Sequence, residues 1–219
     1  MEVLYSDDDL IVINKPAGLA VLPDGWQTDL PYLVKLLEPE YGRIFVVHRL
    51  DKMTSGVIVF ARNPDSHRAL DLQFQRREVK KNYHAIANGI PGWKEHTAKF
   101  PLRVNVGHRH RTIVDSHDGK PSETHFVVMR RFLSEVLLLA EPRTGRTHQI
   151  RVHAFALGYP LLSDTLYGAP PSQVILRPAL HALSLAFRHP SNGKLMTFEA
   201  TYPDDFATAL GVMQERMGQ

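Results

Sequence analysis

Two apolar runs, Phe45–Val47 and Val57–Phe60, flank a polar stretch holding His48, Arg49, Asp51, Lys52, Thr54, Ser55 and Gly56. Their length and β-branched content predict short buried strands, and the stretch between them predicts a compact turn. Upstream, Leu10–Asn14 predicts a strand that stops at Lys15-Pro16-Ala17-Gly18, where proline removes a donor and glycine permits positive φ. A helix is predicted from Thr28 or Asp29 as cap, with Pro31 in its first turn, Leu33, Leu36 and Leu37 on its apolar face, and Pro39 closing it. Asn63-Pro64-Asp65 predicts the start of a second helix running to about Arg77, with Leu70 and Phe74 buried and His67 at the surface or in packing.

Lys80–Ala87 alternates, with Tyr83, Ala85 and Ala87 on one side of a strand and His84 and Ile86 on the other. From Gly89 to Lys120 the chain is rich in loop signals, and His108-Arg109-His110-Arg111 before Thr112–Val114 suggests a basic hairpin with its tip or one face exposed. Glu123–Met129 and Glu135–Glu141 predict two strands joined near Arg131–Ser134. Thr147 is the expected N-cap of a helix with Ile150, Ala154 and Leu157 on its apolar face, ending at Gly158. Leu180–Phe187 and Met196–Thr201 predict closing strands, and Asp204 to Gly211 a terminal helix. Ser191…Lys194 has the spacing of a Ser-x-x-Lys nucleophile pair, but the enclosed Asn192-Gly193 is a hairpin signal and the segment reads as a turn. Successive hairpins point to antiparallel pairing rather than repeated βαβ units.

A chain of 219 residues suits one large domain or two small lobes. It has no cysteine, which excludes disulfides and thiolate chemistry, and no apolar run approaches the length of a membrane span. The acidic start MEVLYSDDDL lacks a signal-peptide pattern, so a cytoplasmic location is expected. Net charge is only +3, but it is unevenly distributed. Arg76 to Arg131 holds 12 Lys/Arg against 5 Asp/Glu, a net of +7, while the remainder carries −4. Such a field suits a phosphate-binding face and equally a solvated basic face. His108 and His110 suggest a metal pair, yet no carboxylate or thiol completes a recognisable site, so no metal is expected. Arg143 and Arg146 precede a helix start, a natural place for phosphate.

The run His48-Arg49-Leu50-Asp51-Lys52-Met53-Thr54-Ser55-Gly56 resembles the signature of the RluA-type pseudouridine synthases. From the residues alone it reads first as an ordinary turn with an aspartate capping the backbone. Further resemblance lies in Val12–Leu19, in Tyr83 after Lys80-Lys81-Asn82, in Gly145-Arg146-Thr147-His148-Gln149-Ile150-Arg151, and in Leu161–Gly168, so that it covers Leu10 to about Tyr202. It implies an α+β protein with a mixed, largely antiparallel sheet bent around a central catalytic cleft, as one catalytic domain of two lobes over residues 1–219. It also implies that specific uridines in structured RNA (tRNA, large-subunit rRNA, or both) are isomerised without a cofactor.

In that family Asp51 would be the catalytic residue, Arg151 would pair with it, and Tyr83 would lie against the target base. Arg49 would fill the space left by the flipped nucleotide. His48 is assigned either to holding that nucleotide or to a supporting structural role. Arg109, Arg111, Arg143 and Arg146 complete the expected RNA contacts, with the basic hairpin resembling a loop that clasps substrate. Whether Asp51 attacks ribose, attacks the uracil ring or removes a ribose proton stays open. The strand beginning within about ten residues of Met1 leads us to expect no S4-type RNA-binding module, and the absence of a long exposed apolar helix pattern leads us to expect a monomer. Two competing functions are a non-catalytic RNA-binding or remodelling protein on the same scaffold and a nucleosidase or glycosylase that also sets a carboxylate near ribose.

Overall fold

The computed structural model describes residues 1–23, 30–107 and 111–218. The chain divides into two compact units, Met1–Lys81 with Ala182–Thr201, and Asn82–His181 with Tyr202–Gln219. It is α+β, with the ladders described below all antiparallel.

In the first unit, β1 (Glu2–Ser6) pairs with β2 (Leu10–Lys15). α1 (Leu33–Tyr41) follows, then β3 (Phe45–Val46), β4 (Ser55–Ala61) and α2 (Pro64–Gln75). β4 is buried along its whole length, as its unbroken apolar run requires, and carries β2 on one edge and β3 on the other. Leu70 of α2 closes over Leu10, Val12, Val57 and Val59 to form the core of this unit. Each such aliphatic side chain contributes about 1.5–3 kcal/mol when removed from water. α2 begins as its sequence predicts: Asn63 accepts the Ser66 N–H at 2.8 Å and Pro64 occupies the first turn.

α1 departs from the expectation. It starts at Leu33 with Tyr32 at the cap position, and Pro39 lies inside it rather than closing it; Gly42, with φ of 72°, ends it. Val34 is buried where Leu36 was expected, and Leu36 is exposed. The predicted caps Thr28 and Asp29 lie outside the described residues.

The second unit opens with β5 (Lys80–Asn88), whose first two residues belong to the first unit. β6 (Glu95–Ala98), β7 (Leu102–Val106) and β8 (Arg111–Val114) follow, then β9 (Thr124–Arg131) and β10 (Glu135–Pro142). The order β5-β10-β9-β6 forms a sheet, while β7 and β8 make a separate two-stranded hairpin. The segment read as loop-rich thus holds three short strands, each too brief to show a clear period against its glycine and proline breaks. The alternation along β5 holds. Ala85 and Ala87, with Tyr83 against them, join one core under α3 (Gln149–Ala156), whereas Ile86 joins another. That second core is closed by Phe206, Ala209 and Met213 of α4 (Asp204–Met217), which runs six residues further than Gly211. In the chain between α3 and α4, β11 (Leu180–Arg188) and β12 (Leu195–Glu199), which belong to the first unit from Ala182 on, form the expected hairpin, its turn carrying Gly193 at φ of 69°.

Candidate active site

The β2–β4 ladder sets Lys15 opposite Gly56, so the turns that follow β2 and precede β4 lie at the same end of the ladder. β3 pairs for only two residues. At the next rung the imidazole of His48 takes over, its Nε2 accepting the Val59 N–H at 3.1 Å, and the chain turns out of the sheet. His48 also stacks on Phe74, ring centroids 4.6 Å apart. Burial, and after it the charge of Lys81, pushes the His48 pKa down to about 3, so the ring is neutral. Burial and the neighbouring Arg77 push Lys81 down to about 8.

Asp51 lies on the turn that His48 starts, its main-chain oxygen accepting the Thr54 N–H at 3.0 Å. Leu50 before it and Thr54 and Ser55 after it are buried, while Arg49 is exposed. The turn is held from the β2 side. Gly18 N–H donates to Lys52 O at 2.9 Å, and Lys15 Nζ donates to Pro16 O, Leu19 O and Lys52 O at 2.8, 2.9 and 3.1 Å. Lys15 is fully buried, and these carbonyls supply the partners that a buried ammonium needs. Gly56 is required where the turn re-enters the sheet: its φ is 113°, and a Cβ there would lie 2.1 Å from Ala182 O.

In the second unit, Tyr83 is half-buried and pairs with Ala140 across the β5–β10 ladder. Arg151, on the buried α3, is gripped by Asp164: Nε and Nη2 donate to the two carboxylate oxygens at 2.7 and 2.8 Å. Asp164 is fully buried, and the Tyr167 ring lies 5.1 Å from the guanidinium carbon. The family resemblance assigned Asp51 as the partner of Arg151; Asp164, thirteen residues on, was not singled out as one. α3 begins two residues beyond the predicted cap Thr147, because His148 enters it in the left-handed region at φ of 55°. The Gln149 side chain instead secures the entry: Oε1 accepts Arg146 N–H and Thr144 Oγ1–H, and Nε2 donates to Glu123 O and Thr124 Oγ1.

Arg111 opens β8 and is exposed, as is Arg143 at the end of β10; Arg146 is half-buried in the loop before α3. Arg109, with His108 and His110, lies outside the described residues. Asp51 thus belongs to the first unit with His48 and Arg49, and Tyr83, Arg111, Arg143, Arg146 and Arg151 belong to the second.

One group of metal-ligating type occurs among the described residues. Ligand atoms of Asp7, Asp9 and His189 all lie within 4.8 Å of one another. Protein donors already serve them. Asp7 accepts from Asp9 N, Leu10 N, Tyr5 OH and His189 Nε2, and Asp9 from Asn63, Ser66 and Ser191. The group clasps the β1–β2 turn to the β11–β12 turn within the first unit. No helix among the described residues is long and apolar enough to cross a membrane.

Residues 9–156 match the model of the RNA pseudouridylate synthase family. The ribosomal large subunit pseudouridine synthase D of Neisseria meningitidis serogroup A is 37% identical over the whole chain, which spans 62% of that relative's length. The dual-specificity RNA pseudouridine synthase RluA of Escherichia coli K12 is 38% identical over 93% of each protein. Among solved structures, human RNA pseudouridylate synthase domain containing 4 superposes with a TM-score of 0.79 at 26% identity, covering 97% of this chain and 92% of that one. Human RNA pseudouridylate synthase domain containing 1 gives 0.76 at 29% identity, covering 92% and 83%. The matched span runs from β2 to the end of α3 and so takes in the Asp51 turn, Tyr83 and Arg151, and the chain belongs to the RNA pseudouridylate synthase family.

Proposed function

We propose that this protein isomerises uridine to pseudouridine in structured RNA, with Asp51 as the catalytic carboxylate and Tyr83 and Arg151 supporting it. The observation that carries the reading is the placement of Asp51. It lies within the family-matched span, on a turn fixed by His48 on one side and by Lys15 and Gly18 on the other. A carboxylate pinned to the end of a buried strand pair loses little freedom on meeting substrate, which is what an oriented catalytic group requires.

The reaction breaks the bond from uracil N1 to ribose C1′ and forms a bond from C5 to the same carbon. C5 gives up its proton and N1 gains one, so there is no redox change and no net hydrolysis. Asp51 acts at the ribose or the base during this exchange. The target nucleotide leaves its stack first, at a cost of a few kcal/mol, and Arg49, which is exposed beside Asp51, enters the space it vacates. Stacking of the freed uracil on Tyr83 recovers about 1–3 kcal/mol. Asp164 holds the Nε–Nη2 edge of Arg151, which sets the plane of the guanidinium. Arg111, Arg143 and Arg146 supply phosphate contacts. A relative bearing the name of a ribosomal large subunit synthase makes ribosomal RNA one substrate to test, and tRNA, which the sequence resemblance implies, is the other.

The test is incubation of the protein with tRNA and with ribosomal RNA fragments labelled with tritium at uridine C5, followed by nucleoside chromatography. Tritium release with pseudouridine in the digest is the expected result. Binding without release from either RNA or from total cellular RNA, or release of free uracil, would overturn the reading.

A further inference from the structure

Tyr167 is nearly fully buried, yet its phenol oxygen is not idle. It accepts the main-chain N–H of Thr112 at 3.0 Å, and it meets His148 Nδ1 at 2.9 Å. The phenol serves both contacts: its oxygen accepts from Thr112 N–H, and the hydrogen bond with His148 Nδ1 runs in the direction the imidazole tautomer sets. Thr112 belongs to β8, directly after the exposed Arg111. His148 is the left-handed residue through which the chain enters α3, three residues before Arg151.

The ring faces a second task. Its face lies under the Arg151 guanidinium, whose edge is held by Asp164, and Asp164 and Tyr167 bracket one short 3-10 turn, Thr165–Tyr167, with Tyr167 N–H donating to Asp164 O. Leu102 of β7 packs with Tyr167 and with Val152 of α3, so both strands of the hairpin seat on this one residue. The hairpin is a two-stranded sheet of its own, its strands pairing with each other and Leu102 exchanging main-chain hydrogen bonds with Lys120. A two-stranded ribbon is at best marginally stable alone, so its orientation depends on such anchorage.

We infer that Tyr167 is a positioning residue that couples the seat of the β7–β8 hairpin, through its hydroxyl, to the orientation of Arg151, through its ring. RNA gripped at Arg111 is thereby registered against the guanidinium that serves the reaction. The inference rests on the proposed synthase activity, and its test separates the two. Tyr167→Phe keeps the ring and removes only the hydroxyl; Tyr167→Leu removes both.

In Tyr167→Phe, amide hydrogen exchange at Thr112 should accelerate while the β9–β10 core stays protected, and KM for RNA should rise about tenfold, the loss of one buried hydrogen bond, with kcat nearly unchanged. In Tyr167→Leu, kcat should fall as well. Arg111→Gln should raise KM in the wild type and add little in the Tyr167→Phe background. Unchanged Thr112 exchange and KM in Tyr167→Phe, or independent addition of the Arg111 and Tyr167 effects, would overturn the coupling. A merely structural tyrosine would reduce stability in both variants and leave KM alone, which also contradicts it. Should the wild type release no tritium from any RNA, the activity reading fails. The exchange at Thr112 and the additivity of Arg111→Gln and Tyr167→Phe in RNA affinity would then still decide whether the hydroxyl seats the hairpin.

Discussion

Lys15 Nζ donates to the main-chain oxygen of Lys52 at 3.1 Å, one residue past Asp51. A fully buried lysine thereby fixes the turn that carries the proposed catalytic carboxylate, and the same ammonium closes the Pro16–Leu19 turn on itself. Lys15→Met fills similar volume but leaves three carbonyls without this donor, each worth about 1–3 kcal/mol when unsatisfied. We expect a loss of roughly 3 kcal/mol or more in urea unfolding together with a fall in turnover. A variant as stable and as active as the wild type would show that the contact does not hold the turn.

Asp164 and Arg151 form a bidentate buried pair. Asp164→Ala removes the bidentate partner of a buried guanidinium, and breaking such a pair by removing one partner costs about 3–5 kcal/mol. Thermal or denaturant unfolding measures this. Asp164→Asn, which keeps the shape and part of the hydrogen bonding, should retain more stability yet lose turnover, because the guanidinium plane is no longer set.

His48 links acid sensitivity to the same turn. Its folded pKa of about 3 lies below the ordinary histidine value of 6.5, so the unfolded chain takes up the proton first as pH falls. The contribution of this histidine is fully present above about pH 6.5 and is lost progressively as pH falls from there toward about 3. Stability measured by urea unfolding at a series of pH values should therefore drop over this window, and His48→Asn should give a shallower acid limb. An identical acid limb in the variant would contradict a neutral, ladder-replacing imidazole.

Much of this was legible in the sequence because local signals and burial agree there. The Leu10–Asn14 run became β2, Asn63 capped α2, and the β5 alternation divided Ala85 and Ala87 from Ile86 into two cores. The Asp51 turn was found between its two apolar runs. Other features depend on contacts distant in sequence. Glu2–Ser6 is half polar and becomes a strand only by pairing with β2. Lys15 read as a polar flank of a turn, since nothing local shows that carbonyls from two turns converge on its ammonium. Thr147 has the right chemistry for a cap, but the left-handed His148 and the back-folded Gln149 side chain take that task over. Asp164 sat in view within a motif without its partner being evident, because the pairing with Arg151 spans the turn between α3 and the 3-10 segment.

The most direct test of the central claim is Asp51→Asn assayed for tritium release from C5-labelled uridine RNA under single turnover, beside a filter-binding measurement of RNA affinity. The substitution keeps shape and removes the charge. The account predicts RNA binding within a few-fold of the wild type and no tritium release. Release at the wild-type rate would show that Asp51 is not the catalytic carboxylate.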